Sequence, residues 1–451
     1  MQVLELFRDA AATVPAYALF LRERGVDPSS VTDPAQIPLM TKQDYHQRFD
    51  LPQRCRGGRL DAAATVAVSS GSSGRPTVWP RTVADEAPVT ARFAQVFRDG
   101  FRAGERSTLA VVCFALGNWV GGMYTVAACR QLPVTVAAPG NDIEEILRVV
   151  GELGGHFEQT VLLGYPPFVK NVIDAGMARG VDWASLRIKL VLAGEVFSEQ
   201  WRDLVAARAG IDDPETGVAS LYGTADAGVL GNETPLSVRV RRFLSRRPEV
   251  AAELFGESRL PTLVQYDPAA RLFETAPDGT LVFTADGTVP LVRYHIADDG
   301  GVLPKADLIA VCRAHGFDPG DGPDLPFVYV FGRSLFTVSY FGANVYPENV
   351  TVGLERPDIS AWSTGRFVLS TIEDDDRDRH LSVVVELAPG AEGTPERERM
   401  AAESIRAELL RLNSEFAHYV PAGNRTPRVE LRPADDPEFF PRGVKHRYTR
   451  R

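Results

Sequence analysis

The run Val66-Ala67-Val68-Ser69-Ser70-Gly71-Ser72-Ser73-Gly74-Arg75-Pro76-Thr77 sets a short apolar strand before a stretch made almost wholly of Ser, Gly and Thr. Gly71 and Gly74 let the backbone turn tightly and come close to a ligand. Ser69, Ser70, Ser72, Ser73 and Thr77 supply hydroxyls, the turns supply backbone N–H groups, and Arg75 adds a forked cation. Such a concavity suits phosphate oxygens. No Gly-Lys-Ser/Thr follows the glycines at the spacing of a Walker A loop. A flexible Ser/Gly linker or a hairpin loop is the plainer reading of the same residues.

Three further stretches carry polar or glycine-rich chemistry. Ala115-Leu116-Gly117-Asn118-Trp119-Val120-Gly121-Gly122 follows a buried-strand pattern, and suits either a pocket wall or tight helix packing through Gly121 and Gly122. Ala193-Gly194-Glu195 ends another apolar strand. Leu221-Tyr222-Gly223-Thr224-Ala225-Asp226-Ala227-Gly228 is the last of the three.

The elements that must position these stretches read as follows. Leu4, Phe7, Ala11 and Val14 recur at helical spacing, and prolines break the next segment. Residues 83–101 form a helix with Phe93, Val96 and Phe97 inward. Strands are expected over 108–114, 131–137, 160–164 and 187–193, with an amphipathic segment over 142–153 between two of them. A helix over 198–209, capped by Ser198, turns Trp201, Leu204 and Val205 inward. This alternation predicts an α/β fold with a largely parallel sheet. Ligands bind beyond the carboxyl ends of strands in such sheets, which places the loops 69–77, 114–122, 193–197 and 221–228 together. Beyond 332, hairpin strands over 367–372 and 381–387 flank an acidic turn, and Thr394-Pro395 opens a helix with Ile405, Leu409, Leu412 and Phe416 on one stripe.

At 451 residues the chain predicts two or more domains. Its 44% hydrophobic and 24% charged residues are those of a water-soluble globular protein, and a net charge of −10 argues against nucleic-acid partners. No run is long and apolar enough to span a membrane, and the N-terminus lacks a leader pattern. Four dispersed cysteines fit a reducing, cytoplasmic setting. A homodimer is left open.

Taken in order, these stretches resemble the adenylate-forming superfamily, and within it the phenylacetate–coenzyme A ligase-like branch. Residues 69–76 match its Ser/Thr/Gly loop, with Arg75 where Lys is usual. Ala193-Gly194-Glu195 is similar to its Gly-Ala-Glu segment, and Tyr222 to Asp226 to its Tyr-Gly-Ser/Thr-Thr-Glu, with Asp226 one methylene shorter. Val292-Arg293-Tyr294-His295-Ile296-Ala297-Asp298 resembles its ribose-binding motif. Phe331-Gly332-Arg333-Ser334 looks like its hinge, although Leu335 and Phe336 replace two acids. Phe341 to Pro347 resembles the opening of its small C-terminal domain.

The resemblance implies a nucleotide- and acid-binding domain over 1–332 and a small mobile α+β domain over 333–451, hinged near Gly332-Arg333. It implies ATP and Mg²⁺ as cofactors. The loop 69–74 and Arg75 would hold the phosphates, Gly194, Glu195, Gly223, Thr224 and the hinge residue Arg333 would line the nucleotide site, and Tyr222 would pack on adenine. Asp226 would hold the metal, and Asp298, with Asp299 as fallback, the ribose. Lys445 would neutralise the carboxylate and α-phosphate, although the strict position after Gly443 is Val444; a solvated basic tail is its alternative. Phe114, Trp119, Tyr165 and Ala193 would wall an acid pocket, favouring a small aromatic acid. The acyl acceptor would be coenzyme A, with a carrier-protein thiol or a nitrogen nucleophile as alternatives. A degenerate member that binds without turnover stays open too.

Overall fold

The computed structural model describes residues 2–69, 77–258, 260–333, 337–440 and 449, with Arg333 described by its backbone alone. The chain divides into two compact units, Met1–Ser69 with Thr77–Gly332, and Arg333–Arg451.

In the first unit, β1 (Thr65–Ser69) and β2 (Thr77–Arg81) form an antiparallel hairpin of their own. The strands of the large sheet are β3 (Thr108–Val112), β4 (Thr135–Ala137), β5 (Gln159–Gly164), β6 (Ile188–Ala193), β7 (Val218–Thr224), β8 (Gly228–Asn232), β9 (Thr262–Gln265), β10 (Arg271–Thr275), β11 (Thr280–Ala285), β12 (Leu291–Leu303) and β13 (Phe327–Arg333). Among the described residues their order is β10-β11-β12-β13-β9-β8-β7-β6-β5-β3-β4. From β4 to β7 every pair is parallel, and β3 and β5 are buried along their whole length, as a strand covered on both faces must be. β7 pairs antiparallel with β8, as do β9 with β13 and β10 with β11 with β12. The unit is a mixed α/β fold. A second apolar core, including Leu236, Val240, Leu308 and Phe327, packs helices Pro235–Leu244 and Lys305–Ala314 on this antiparallel side.

Several local expectations shift. The first helix, Val3–Thr13, buries Val3, Leu6, Phe7 and Ala10, one position out of phase with the stripe read through Leu4 and Ala11. The strand over 131–137 shortens to Thr135–Ala137. The strand ending at Ser69 does not belong to the large sheet: it pairs with the strand beginning at Thr77 in the separate hairpin, Ser69 opposite Thr77. Residues 222–224 are strand, and only Ala225 to Ala227 turn, because β8 folds straight back on β7. Ser198 does cap helix Glu199–Arg208, accepting from the Trp201 N–H. That helix also buries Arg202, which apolar periodicity cannot find.

The second unit pairs β14 (Val338–Tyr340) with β15 (Ala343–Val345), and β16 (Ser363–Glu373) with β17 (Arg379–Leu387), to which β18 (Arg428–Arg432) adds in parallel. Thr394 caps helix Pro395–Leu412. Phe416 lies on a second short helix, Ser414–Tyr419, because Asn413 ends the first helix and caps the next. No helix among the described residues is long and apolar enough to cross a membrane.

Candidate nucleotide and acid site

Burial and backbone geometry bring the 222–226 and 292–298 stretches together. The Tyr222 hydroxyl donates to Asp298 Oδ2 at 2.7 Å, and the Tyr294 hydroxyl donates to Asp226 Oδ2 at 2.6 Å. All four residues are buried. A buried carboxylate without donors is costly, so these bonds help keep both acids in place. Gly223 leaves no room for a side chain, since a Cβ there would lie 2.8 Å from the Gly228 carbonyl oxygen. Thr224 Oγ1 accepts from the Ala227 N–H and closes the turn. Behind it, Arg81 donates to the carbonyls of Ala225 and Asp226 at 3.0 Å each. Arg271 adds a longer bond to the Ala227 carbonyl; burial, then the charge of Arg81, lowers its pKa to about 10.

On β12, Arg293 and Ala297 adopt left-handed backbone, with φ of 48° and 62°. Non-glycine residues take this conformation at a cost and usually for a local purpose. Each directly precedes a site residue, Tyr294 and Asp298. Asp298, rather than Asp299, is the acid joined to Tyr222. His295 faces Thr280 Oγ1 at 2.6 Å. Met40 pairs with Tyr294 as a single bridge, and Arg293 reaches the carbonyls of Ala35 and Ile37.

A buried ion network braces the neighbouring stretch. Arg202 binds Glu199 at 3.0 Å and Glu233 at 2.7 Å and donates to the Val218 carbonyl. Glu233 accepts from the Ser220 N–H, and Arg241 binds Glu199 and the Phe197 carbonyl. Burial lowers the Arg202 pKa, but Glu233 and Glu199 outweigh it and hold it up. The network thus fixes the start of β7 and the segment after Ala193-Gly194-Glu195. Gly194 has φ of 93°, which favours glycine, and Glu195 is buried.

Phe114, Trp119 and Tyr165 are buried, and the rings of Phe114 and Tyr165 meet edge to face at 4.8 Å. A Cβ on Gly121 would stand 3.2 Å from both. Gly122 serves packing, since a Cβ there would fall 2.2 Å from the Ala115 carbonyl oxygen. The tight-packing reading of this stretch therefore holds. The same stretch docks on the hairpin, where the Val68 N–H donates to Asn118. Ser70, Gly71, Ser72, Ser73, Gly74, Arg75 and Lys445 lie outside the described residues, as does the side chain of Arg333.

No family model matches the sequence, and no curated protein matches it. Solved structures do. A 2-hydroxyisobutyryl-CoA ligase, bound to 2-HIB-AMP and CoA in its thioesterification state, matches 99% of this chain and 87% of its own, with a TM-score of 0.68 at 17% identity. The same ligase with 2-HIB-AMP in its postadenylation state matches 100% of this chain and 86% of its own, with a TM-score of 0.57 at 16% identity. The chain shares the fold of this ligase. The amide bond synthetase McbA of Marinactinospora thermotolerans is similar as well, over 92% of this chain and 74% of its own, with a TM-score of 0.50 at 16% identity.

Within this fold, the structure adds residues that the sequence did not single out. Lys42 Nζ donates to Ser69 Oγ at 3.3 Å, a cation at the last described residue before the Ser/Gly stretch. Its signal was compositional: only five of the 49 basic residues are lysines, and this one opens the short helical segment Lys42–His46 that Thr41 caps. His46 is the second. It accepts from Arg54, packs edge-on to Tyr294 at 5.2 Å, and burial, then Arg54 and Lys42, hold it well below its usual pKa. It stands behind Tyr294 as a neutral ring.

Proposed function

We propose that the chain activates a small carboxylic acid with ATP, forming an acyl-adenylate and pyrophosphate, and then transfers the acyl group to coenzyme A. The observation that carries this reading is the pair of bonds Tyr222–Asp298 and Tyr294–Asp226. They bring the resembling base, metal and ribose residues into one polar corner. The fold neighbour holding 2-HIB-AMP and CoA supports the same reading.

In this mechanism two anions must meet, so positioning and charge neutralisation supply most of the rate. Asp298 accepts the ribose hydroxyls and the Tyr222 ring lies on adenine, with Gly194, Glu195, Gly223 and Thr224 around the nucleotide. Ser69, Lys42 and the stretch through Arg75 take the phosphates. Asp226 would hold a magnesium ion through the carboxylate oxygen that Tyr294 leaves open, and the ion when bound would neutralise phosphate charge. Lys445 pairs with the carboxylate as it approaches the α-phosphate. Phe114, Trp119, Tyr165 and Ala193 wall the acid, and the edge-to-face pair favours a flat, aromatic one. The phenylacetate–coenzyme A ligase-like branch, a cytoplasmic location and a hinge at Gly332-Arg333 belong to the same proposal. The φ of 109° at Gly332 and the division of the chain there support the hinge. The amide bond synthetase neighbour supports one alternative acceptor, an amine; a carrier-protein thiol is another.

The test is ATP–pyrophosphate exchange against a panel of aryl and short alkyl acids. Exchange that depends on an acid is expected. Nucleotide binding without exchange for any acid would instead favour a binding protein built on this fold.

A further inference from the structure

The two tyrosine–carboxylate bonds are reciprocal. Tyr222 and Asp226 are four residues apart around the end of β7; Tyr294 and Asp298 are four apart on β12. Each tyrosine donates to the acid of the other stretch. Yet β8, β9 and β13 lie between β7 and β12 in the sheet order. In a flat sheet, four strand spacings of about 4.8 Å would hold the two about 19 Å apart. The antiparallel side must therefore curl until the end of β7 meets β12, and the backbone ladder cannot make that closing contact. Register shifts between β11 and β12 and the left-handed residues Arg293 and Ala297 are the devices that bend β12 and aim Tyr294 and Asp298.

The two bonds differ in their surroundings. The Tyr294 ring is 1% exposed and wedged edge-on between His46 and Phe283. Tyr222, at 8% exposure, has a looser ring contact, with Phe273 at 6.3 Å. Tyr294 therefore presents a fixed donor to Asp226 while Arg81 grips the backbone of the same turn.

We infer that Tyr222 and Tyr294 are positioning residues that cross-tie the metal-binding acid and the ribose-binding acid into one preset unit, so that order at either acid is passed to the other. This rests on the nucleotide reading above. The advantage is entropic: two acids already held in place need not be immobilised when the ligand arrives. It also offsets the short reach of Asp226, which cannot search for a metal as a longer side chain could.

The test uses the full chain as wild type, Tyr294→Phe and Tyr222→Phe, substitutions that keep each ring and remove one hydroxyl. Hydrogen exchange is followed without ligand, and ATP binding is titrated over a series of Mg²⁺ concentrations. The cross-tie predicts that Tyr294→Phe speeds exchange at 225–227 as well as at its own strand, and that Tyr222→Phe speeds it at 297–299. It further predicts that Tyr294→Phe needs about tenfold more Mg²⁺ for half-maximal ATP binding, the size of one lost bond to a charged group. Exchange that rises only within the mutated stretch overturns the cross-tie. Faster exchange with an unchanged Mg²⁺ requirement overturns the positioning role and leaves the bonds as fold contacts. If wild type bound no nucleotide at all, the function proposed above would fail, and the exchange result would still decide whether the two acids are cross-tied.

Discussion

Phe114 and Tyr165 meet because their strands are neighbours, whereas Tyr222 and Asp298 meet although theirs are not. β3 and β5 are adjacent and parallel, with Val112 opposite Leu163. Continuing that register by two residues sets Phe114 opposite Tyr165, so the apolar corner is an extension of the ladder. The polar corner is closed by side chains across three intervening strands. A corner built on the ladder inherits its rigidity from backbone pairing. A corner built across the sheet depends on curvature, buried braces and satisfied carboxylates, and should be the easier of the two to break from a distance.

The largest expected effect breaks the polar corner through its brace. Glu233→Ala would leave Arg202 buried with one carboxylate fewer and the Ser220 N–H unpaired. It should cost about 3–5 kcal/mol of stability in urea unfolding, the usual penalty for removing one partner of a buried pair. A loss below about 1 kcal/mol would put the brace in the class of surface ion pairs.

Gly121→Ala sharpens the comparison from the other side. The new methyl would press on Phe114 and Tyr165 at 3.2 Å. Overpacking of this kind costs about 1–3 kcal/mol, and its effect should fall on the KM for the acid and on acid preference. Nucleotide affinity should be unchanged, because the acids of the polar corner are held independently of that ladder. Equal losses for acid and nucleotide would mean that the two corners are one structural unit.

The smallest effect is a pH slope. His46 titrates at 6.5 when unfolded and well below that when folded, because burial and two nearby cations oppose its charge. Its contribution to stability is therefore complete above pH 6.5 and is lost as pH falls toward the folded value. The slope is at most about 1.4 kcal/mol per pH unit for one proton. His46→Phe should remove that part of the slope in unfolding measurements between pH 6.5 and 5. An unchanged slope would assign the acid sensitivity to other groups.

Much of this organisation was legible in the sequence, for reasons that differ by region. The parallel strands β3, β5 and β6 announce themselves as short apolar runs, and Ser198 and Thr394 as caps, because those signals are local. Asp226 and Asp298 stood out as acids in stretches resembling known nucleotide motifs. Their exchange of tyrosine partners was not legible, since it depends on how far the antiparallel side curls. Arg202 and Glu233 were missed because a buried ion network looks like surface charge in a one-dimensional pattern. Lys42 was missed because nothing in its own segment says that Ser69 lies beside it. The strand before residue 70 was placed with the main sheet, and the hairpin alternative proved right, because an apolar run reads alike whether it joins the main sheet or a hairpin of its own.

The central claim is that the 222–226 and 292–298 stretches form one nucleotide site. It is tested most directly by titrating AMP into wild type and Asp298→Ala by calorimetry, with thermal unfolding as a check that the variant is folded. Wild type is expected to bind, and Asp298→Ala to bind more weakly by about 1.5–3 kcal/mol, the range for a hydrogen bond to a charged group. Equal affinity in the folded variant would contradict the claim.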